Sequence, residues 1–297
     1  MIKPPNLRSG DLVYLTAPAK AIEADTVLRA KKTLEGWGLT VLVSPHCTGQ
    51  FHYFSGTDAE RLSDVQWGLD HPEIKAIICA RGGYGCARIV NDLHWEGFVK
   101  NPKWIVGFSD ITVFHQKIQG LGIESIHGIM PLGFCEGTEE AKETLRKALF
   151  GQAYTTTYPT GPLDKPGEAE GMLVGGNMAI VCSLIGTPLA VPFKGNLLFL
   201  EDVGEHVYKI DRMLQTLQMV GAFRDIKGLI LGGFTAMEDT TVPFGQTVTA
   251  LIQSQTKEHS YPVAFDFPAG HLEDNRALVL GRTVRFSVTQ SAVSLTI

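Results

Sequence analysis

Paired cysteines are the first thing this sequence does without. Its five cysteines (Cys47, Cys79, Cys86, Cys135 and Cys182) are odd in number, and no two stand in C-x-x-C spacing. That pattern argues against a disulfide framework and against a zinc knuckle. Cys79 and Cys182 lie in apolar runs and read as small buried hydrophobes. The nine histidines include no H-E-x-x-H, so a zinc hydrolase is not indicated and no metal is expected. No window approaches the roughly 20 uninterrupted apolar residues of a membrane span. The opening Met1-Ile2-Lys3-Pro4-Pro5-Asn6 has no apolar stretch of signal-peptide type, which gives a cytoplasmic expectation. No basic cluster is present, and 26 Lys and Arg against 31 Asp and Glu leave a net charge of −5. Neither nucleic acid nor a membrane surface is an expected partner. Internal repeats and low-complexity tracts are also missing.

What remains is an ordinary globular composition, 44% apolar and 19% charged, in a chain of 297 residues that is long enough for two domains. The first half alternates. Asp11–Thr16, Thr40–Ser44, Ile74–Ala80 and Trp104–Phe108 read as strands. Between them Ala21–Trp37, Asp58–Leu69 (with Thr57 as N-cap) and Cys86–Leu93 have helical spacing. This order predicts a parallel sheet with helices on both faces, and in such sheets ligands sit beyond the carboxyl ends of the strands. Glu139–Leu149 reads as a further helix. The polar stretch after it, with Pro159, Pro162 and Pro166, reads as part of a linker over 136–170. The second half, 171–297, holds a Met178–Ile185 helix, an Asn196–Leu200 strand, a Tyr208–Val220 helix, a Gly228–Gly233 strand and C-terminal strands over Ala277–Leu295.

The strand Trp104–Phe108 stops at Ser109, and Ile111–Ile118 has helical spacing. A strand that turns sharply into a helix with serine at the corner lifts the hydroxyl clear of its own backbone. The same turn aims the N–H of Asp110 at the space where an oxyanion would form. The esterase pentapeptide wants glycine two places after the serine, and Ile111 stands there instead. A serine capping a helix is the plainer reading of the same residues. At the neighbouring strand end, Arg81-Gly82-Gly83-Tyr84-Gly85 can supply the other half of an oxyanion hole, or it is a simple turn. It lacks the G-x-G-x-x-G and Walker spacings, so no nucleotide cofactor is expected.

A serine nucleophile needs a base, and the base needs an orienting carboxylate. His271, in the loop Pro268-Ala269-Gly270-His271, is one candidate base, and His127, after the short strand Ile123–Ile126, is another. Glu201 follows the apolar Leu197–Leu200, where a carboxylate is costly unless it is hydrogen-bonded. Asp202 and Glu205 compete with it for the orienting role. His115 lies on the helix after Ser109 and is expected to point away from the hydroxyl. His94 and His206 are expected at the surface.

Five short motifs then occur in order: Ala80-Arg81-Gly82-Gly83-Tyr84-Gly85, Gly107-Phe108-Ser109-Asp110-Ile111-Thr112, Gly175-Gly176-Asn177, Leu200-Glu201-Asp202-Val203-Gly204-Glu205 and Gly270-His271. Together they resemble the LD-carboxypeptidase family of serine peptidases over roughly residues 10 to 290. That family includes muramoyltetrapeptide carboxypeptidases and microcin C self-immunity peptidases. The resemblance implies a Ser109–Glu201–His271 triad, with the backbone N–H groups of Gly83 and Asp110 as the oxyanion hole. It implies a flavodoxin-like or amidotransferase-like N-terminal domain, taken as residues 1–135, and a mixed C-terminal domain with a small β-barrel over 171–297. The triad would be split between the two. The implied reaction removes the terminal D-alanine of a murein tetrapeptide during peptidoglycan recycling. Arg81 is a candidate anchor for the free carboxylate of such a substrate, against the alternative of a structural salt bridge. A related activity on a peptidyl-nucleotide antibiotic, with Tyr84 as a stacking residue, is the second reading. A non-catalytic binder of wall fragments is the third. A homodimer is expected on general grounds.

Overall fold

The computed structural model describes all residues from Met1 to Ile297. The chain divides into two compact units, 1–153 with 273–281, and 154–272 with 282–297.

The first unit opens with β1 (Leu12–Thr16), α1 (Ala24–Gly36), β2 (Thr40–Val43), α2 (Asp58–Asp70), β3 (Ile74–Cys79), α3 (Cys86–Ile89), α4 (Glu96–Lys100) and β4 (Trp104–Gly107). A 3-10 turn over Ser109–Ile111 leads to α5 (Thr112–Gly120), β5 (Ser125–His127), α6 (Pro131–Glu136) and α7 (Glu139–Phe150). Each element has a local cause. Helix α2 starts on a capping box, with the Thr57 hydroxyl accepting from the Glu60 N–H and the Glu60 carboxylate accepting from the Thr57 N–H. Helix α7 starts on the Thr138 side chain and stops at Gly151, whose φ is +71°. Strands β3 and β4 are buried almost throughout, which is why they read as unbroken apolar runs.

The second unit continues with β6 (Thr155–Pro159), β7 (Gly167–Asn177), α8 (Met178–Ser183), β8 (Leu197–Val203), α9 (Val207–Met219), α10 (Ala222–Asp225), β9 (Gly228–Thr235), α11 (Val248–Thr256) and β10 (Val263–Ala264). Strand β11 (Leu278–Leu280) returns to the first unit, and β12 (Thr283–Val288) and β13 (Ala292–Thr296) finish the second.

The first sheet has the order β11-β5-β4-β3-β1-β2. It is parallel except for β11, which lies antiparallel on β5 with Val279 opposite Ile126. The order reverses between β1 and β3, so the loops after those two strands flank the switch point. The second sheet runs β10-β9-β8-β7-β12-β13-β6. Its long strand β7 works twice. Gly167–Met172 pairs antiparallel with β12, and Leu173–Asn177 pairs parallel with β8. The two edges approach through an isolated bridge between Lys165 and Val263, and the Tyr158 hydroxyl donates to Phe265 O at 2.7 Å. The second unit is thus built on the expected mixed sheet, and its two edges meet at these points. Its core is packed by Val174, Leu198, Leu200, Ile210, Leu214 and Leu229, among others.

Several elements differ from expectation. The 136–170 stretch holds the expected helix as α7, and beyond it β6 and the start of β7 stand where a linker was expected. Strand β6 belongs to a sheet edge, so its outer face is polar and only Thr156 is fully buried. Helix α3 ends at Ile89, not Leu93, and β10 has two residues where Pro262–Phe267 leans apolar. Cys79 is buried as expected, whereas Cys182 is half-buried with its thiol 3.7 Å from Met213 O. No helix is long and apolar enough to cross a membrane.

Candidate active site

In the first unit the chain leaves β4 through Gly107 and turns at Ser109, whose φ is +64°. Such a conformation costs a non-glycine residue on the order of 1 kcal/mol and persists only where the surroundings enforce it. No capping hydrogen bond from the Ser109 side chain occurs. The residue opens the 3-10 turn, and the flanking N-caps are Phe108 and Ile111. The helix-cap alternative is thus not what the hydroxyl does.

Two supports hold this corner. The buried carboxylate of Asp110 accepts from the Cys86 N–H at 2.8 Å, tying the serine turn to the glycine loop. Burial raises the Asp110 carboxyl, and the Cys86 N–H opposes that rise. The second support is His115, which is fully buried. Its Nε2 lies 2.8 Å from Gly107 O and its Nδ1 lies 2.8 Å from Ser125 Oγ. A carbonyl only accepts, so Nε2 carries the proton and Nδ1 accepts from the Ser125 hydroxyl. His115 does point away from Ser109, as its place on α5 requires. His127, the rival base, is fully buried within β5, its ring 5.8 Å from that of Phe108.

Burial pushes His115 down to about 4, with the Gly107 carbonyl opposing it. The unfolded chain binds this proton below about 6.5 and the native one does not. Stability should therefore fall as pH drops from 6.5 to 4, by on the order of 3 kcal/mol. His115→Gln keeps a donor for Gly107 O and cannot titrate in that window. Urea unfolding at pH 7, 5.5 and 4.5 should show the wild-type loss and a flatter profile for the variant. Parallel profiles would assign the acid sensitivity elsewhere.

The glycine loop lies directly beneath the serine. A Cβ on Gly82 would stand 2.9 Å from Ser109 Cβ and 3.2 Å from the Asp110 nitrogen. Gly83 has φ +96°, a backbone that side-chain-bearing residues rarely adopt. The structure thus brings Gly82, Gly83, Ser109 and Asp110 together in one unit. Arg81 starts the loop, half-buried, and no salt bridge accounts for it. Tyr84 is 49% exposed, its ring 6.1 Å from that of Phe54.

One residue of this frame was not expected from the sequence. Arg61, buried in α2, donates to Gly85 O at 3.1 Å and Gly56 O at 3.3 Å, and also to Pro18 O and the Asp58 carboxylate. It locks three loops around the glycine segment. The signal was present: Arg61, Val65 and Leu69 recur every four residues, so the arginine shares the apolar face of α2.

In the second unit, Glu201 lies within β8 and not at its end. The strand runs on to Val203, and its register with β9 shifts between Leu200 and Asp202. A bulge of this kind re-aims a side chain. Glu201 is fully buried, and its Oε2 accepts from the His271 Nδ1–H at 2.6 Å and from the His271 backbone N–H at 3.2 Å. The His271 side chain keeps 21% of its surface. Gly270, at φ +100°, allows this approach, because a Cβ there would stand 2.7 Å from Glu201 Cγ. Thr235 Oγ1 donates to His271 O at 3.1 Å and fixes the loop from the other side.

The rival carboxylates are engaged otherwise. Asp202 accepts from Asn177 Nδ2 at 3.0 Å and from the Ala179 N–H at 2.9 Å, which ties β8 to the start of α8. Burial pushes its carboxyl up to about 6. Glu205 pairs with Lys209 at 3.3 Å. No three His, Cys, Asp or Glu side chains converge to hold a metal ion.

Comparisons with known proteins place the chain in a family. Residues 13–128 match the LD-carboxypeptidase N-terminal domain, and residues 170–286 match the LD-carboxypeptidase C-terminal domain. The chain is 33% identical to a probable murein peptide carboxypeptidase of Bacillus subtilis, over 94% of this chain and 89% of that one. It is 31% identical to the murein tetrapeptide carboxypeptidase of Pseudomonas aeruginosa, over 91% of each. The solved muramoyltetrapeptide carboxypeptidase of Oxalobacter formigenes superposes with a TM-score of 0.88 at 26% identity, covering 96% of this chain and 98% of that one. The microcin C7 self-immunity protein MccF superposes with a TM-score of 0.89 at 19% identity, covering 100% and 99%, which shows a shared fold. This chain belongs to the LD-carboxypeptidase family of serine peptidases.

Proposed function

We propose that this protein is a cytoplasmic serine carboxypeptidase that removes the terminal D-alanine from murein tetrapeptides, with Ser109, His271 and Glu201 acting as one triad. The observation that carries the reading is the buried Glu201 carboxylate on His271 Nδ1 at 2.6 Å. It fixes the tautomer in which Nε2 serves as the base, and it favours the imidazolium that forms when Nε2 takes a proton. Ser109, on its strained corner, is the matching nucleophile.

In the proposed cycle His271 takes the Ser109 proton as the hydroxyl attacks the carbonyl before the D-residue. The N–H groups of Gly83 and Asp110 receive the oxyanion. The tetrahedral adduct then collapses, and His271 gives the proton to the leaving D-alanine amine. A water, deprotonated by His271, hydrolyses the acyl ester, and the proton returns to Ser109. Arg81 is assigned to the substrate's terminal carboxylate, consistent with its lack of a protein acid. A homodimer is part of this reading, since small enzymes commonly pair about a two-fold axis.

The test is incubation with a D-alanine-terminated murein tetrapeptide, beside the same peptide ending in L-alanine and a peptidyl-nucleotide. Mass spectrometry should find tripeptide and free D-alanine only from the first. Cleavage of the peptidyl-nucleotide alone would favour the self-immunity type of activity. Binding of the tetrapeptide without any cleavage would make the protein a wall-fragment binder.

A further inference from the structure

The loops after β1 and β3 flank the point where the order of the first sheet reverses. Ligands of open parallel sheets settle at such points. The first loop carries Lys20. Its N–H donates to Gly82 O at 3.2 Å, and it forms an isolated bridge with Phe54. The Ser55 N–H donates to Ala19 O at 3.1 Å and the Ala21 N–H to Tyr53 O at 3.1 Å. Two segments, 19–21 and 53–55, are thereby stitched to each other and to the glycine loop, and Lys20 has a fixed origin.

The space over Gly83 is filled from this side. A Cβ on Gly83 would stand 2.7 Å from the Tyr53 hydroxyl oxygen and 3.0 Å from Lys20 Cβ. The Lys20 ammonium stands 5.0 Å from the centre of the Tyr53 ring, and Tyr53 is 43% exposed. Of the other cations around the glycine loop, Arg61 and Arg88 both pair with Asp58, and Arg81 has no protein acid. Lys20 has none, in a chain with 31 acidic side chains to 26 basic ones. An ammonium anchored at its backbone, beside a phenol hydroxyl and without a protein counter-ion, presents the donors a carboxylate needs.

We propose that Lys20 and Tyr53 form a carboxylate-binding subsite beside Gly83 that receives an acidic group of the peptide substrate. The proposal rests on the peptidase reading above and assigns a second anion contact, separate from Arg81. The contact can be to the terminal carboxylate, to a side-chain carboxylate of the residue that donates the acyl group, or to a carboxylate nearer the peptide's N-terminus.

The test uses the acidic tetrapeptide and three derivatives, each with one of those carboxylates converted to the amide. Lys20→Met keeps a stem of similar length without the charge. It should lower kcat/KM on the acidic peptide about tenfold or more, through KM, with kcat within about twofold. On one of the three amides its effect should vanish, and that amide names the group bound. Tyr53→Phe should give a smaller loss with the same substrate dependence. An equal loss on all three amides, or no loss on the acidic peptide, overturns the subsite. A binding measurement separates this outcome from failure of the peptidase reading. Tetrapeptide affinity is compared by calorimetry between Ser109→Ala and Ser109→Ala with Lys20→Met. If the wild type cleaves nothing but the second variant still binds at least about tenfold more weakly, the activity falls and the subsite stands. Equal affinities sink the subsite.

Discussion

Ser109→Ala is expected to leave the protein folded and to remove four to six orders of magnitude from kcat. The separation of the two effects follows from the local geometry. The Ser109 side chain makes no capping bond that its loss would break. Alanine at φ +64° inherits the same backbone strain as serine, so thermal stability should change little. Ser109→Gly is the informative companion. It also lacks the nucleophile, but it relieves a left-handed φ and should be more stable than Ser109→Ala by up to about 1 kcal/mol. Two inactive variants, Ser109→Ala with the wild-type Tm and Ser109→Gly with a slightly raised one, would show that the strain is held by the neighbours, Asp110 on the Cys86 N–H and His115 on Gly107 O, and not by the hydroxyl. D-alanine release and thermal melting of both variants check this. Activity of Ser109→Ala within about tenfold of wild type would remove Ser109 from the reaction.

The serine corner was legible in the sequence for a physical reason. Parallel strands buried on both faces are written as unbroken apolar runs, so the place where Trp104–Gly107 stops is visible in the text. Glu201 was legible by contrast, as a carboxylate inside an apolar strand. Its bulge was not, because register is a relation between strands and leaves no mark on one of them. The same limit hid β11. Leu278–Leu280 reads as a strand, but nothing local says that it pairs with β5 in the first unit while its sequence neighbours β12 and β13 pair in the second. Strand β6 was missed because an edge strand with a polar outer face resembles a loop. Arg61 was missed for a different reason. Its spacing marked the buried face of α2, but charged residues are so rarely buried that composition outweighed periodicity.

Glu201→Gln should cost about two to three orders of magnitude in kcat/KM while the protein stays folded, and the value is informative because of how the two oxygens are used. Oε2 alone accepts both His271 hydrogen bonds, and Oε1 is buried without a partner. A glutamine has one carbonyl oxygen, and it fits only at the Oε2 place. Turned the other way, its amide would set two N–H groups against the His271 backbone N–H. The amide nitrogen then takes the buried Oε1 place, where an unsatisfied donor costs about 1–3 kcal/mol of stability. The tautomer of His271 survives this exchange, and only the negative charge is lost. Catalysis should therefore fall by the electrostatic share alone, less than the roughly 10⁴-fold seen where an amide forces the wrong tautomer on a catalytic histidine. Glu201→Ala loses both the charge and the acceptor, so it should fall further than Glu201→Gln in kcat/KM. If the two variants were equally active, the carboxylate would be acting on His271 through its charge alone. If Glu201→Gln kept wild-type kcat/KM on the tetrapeptide, no imidazolium would form at His271 in the rate-limiting step, and the base would have to be sought elsewhere.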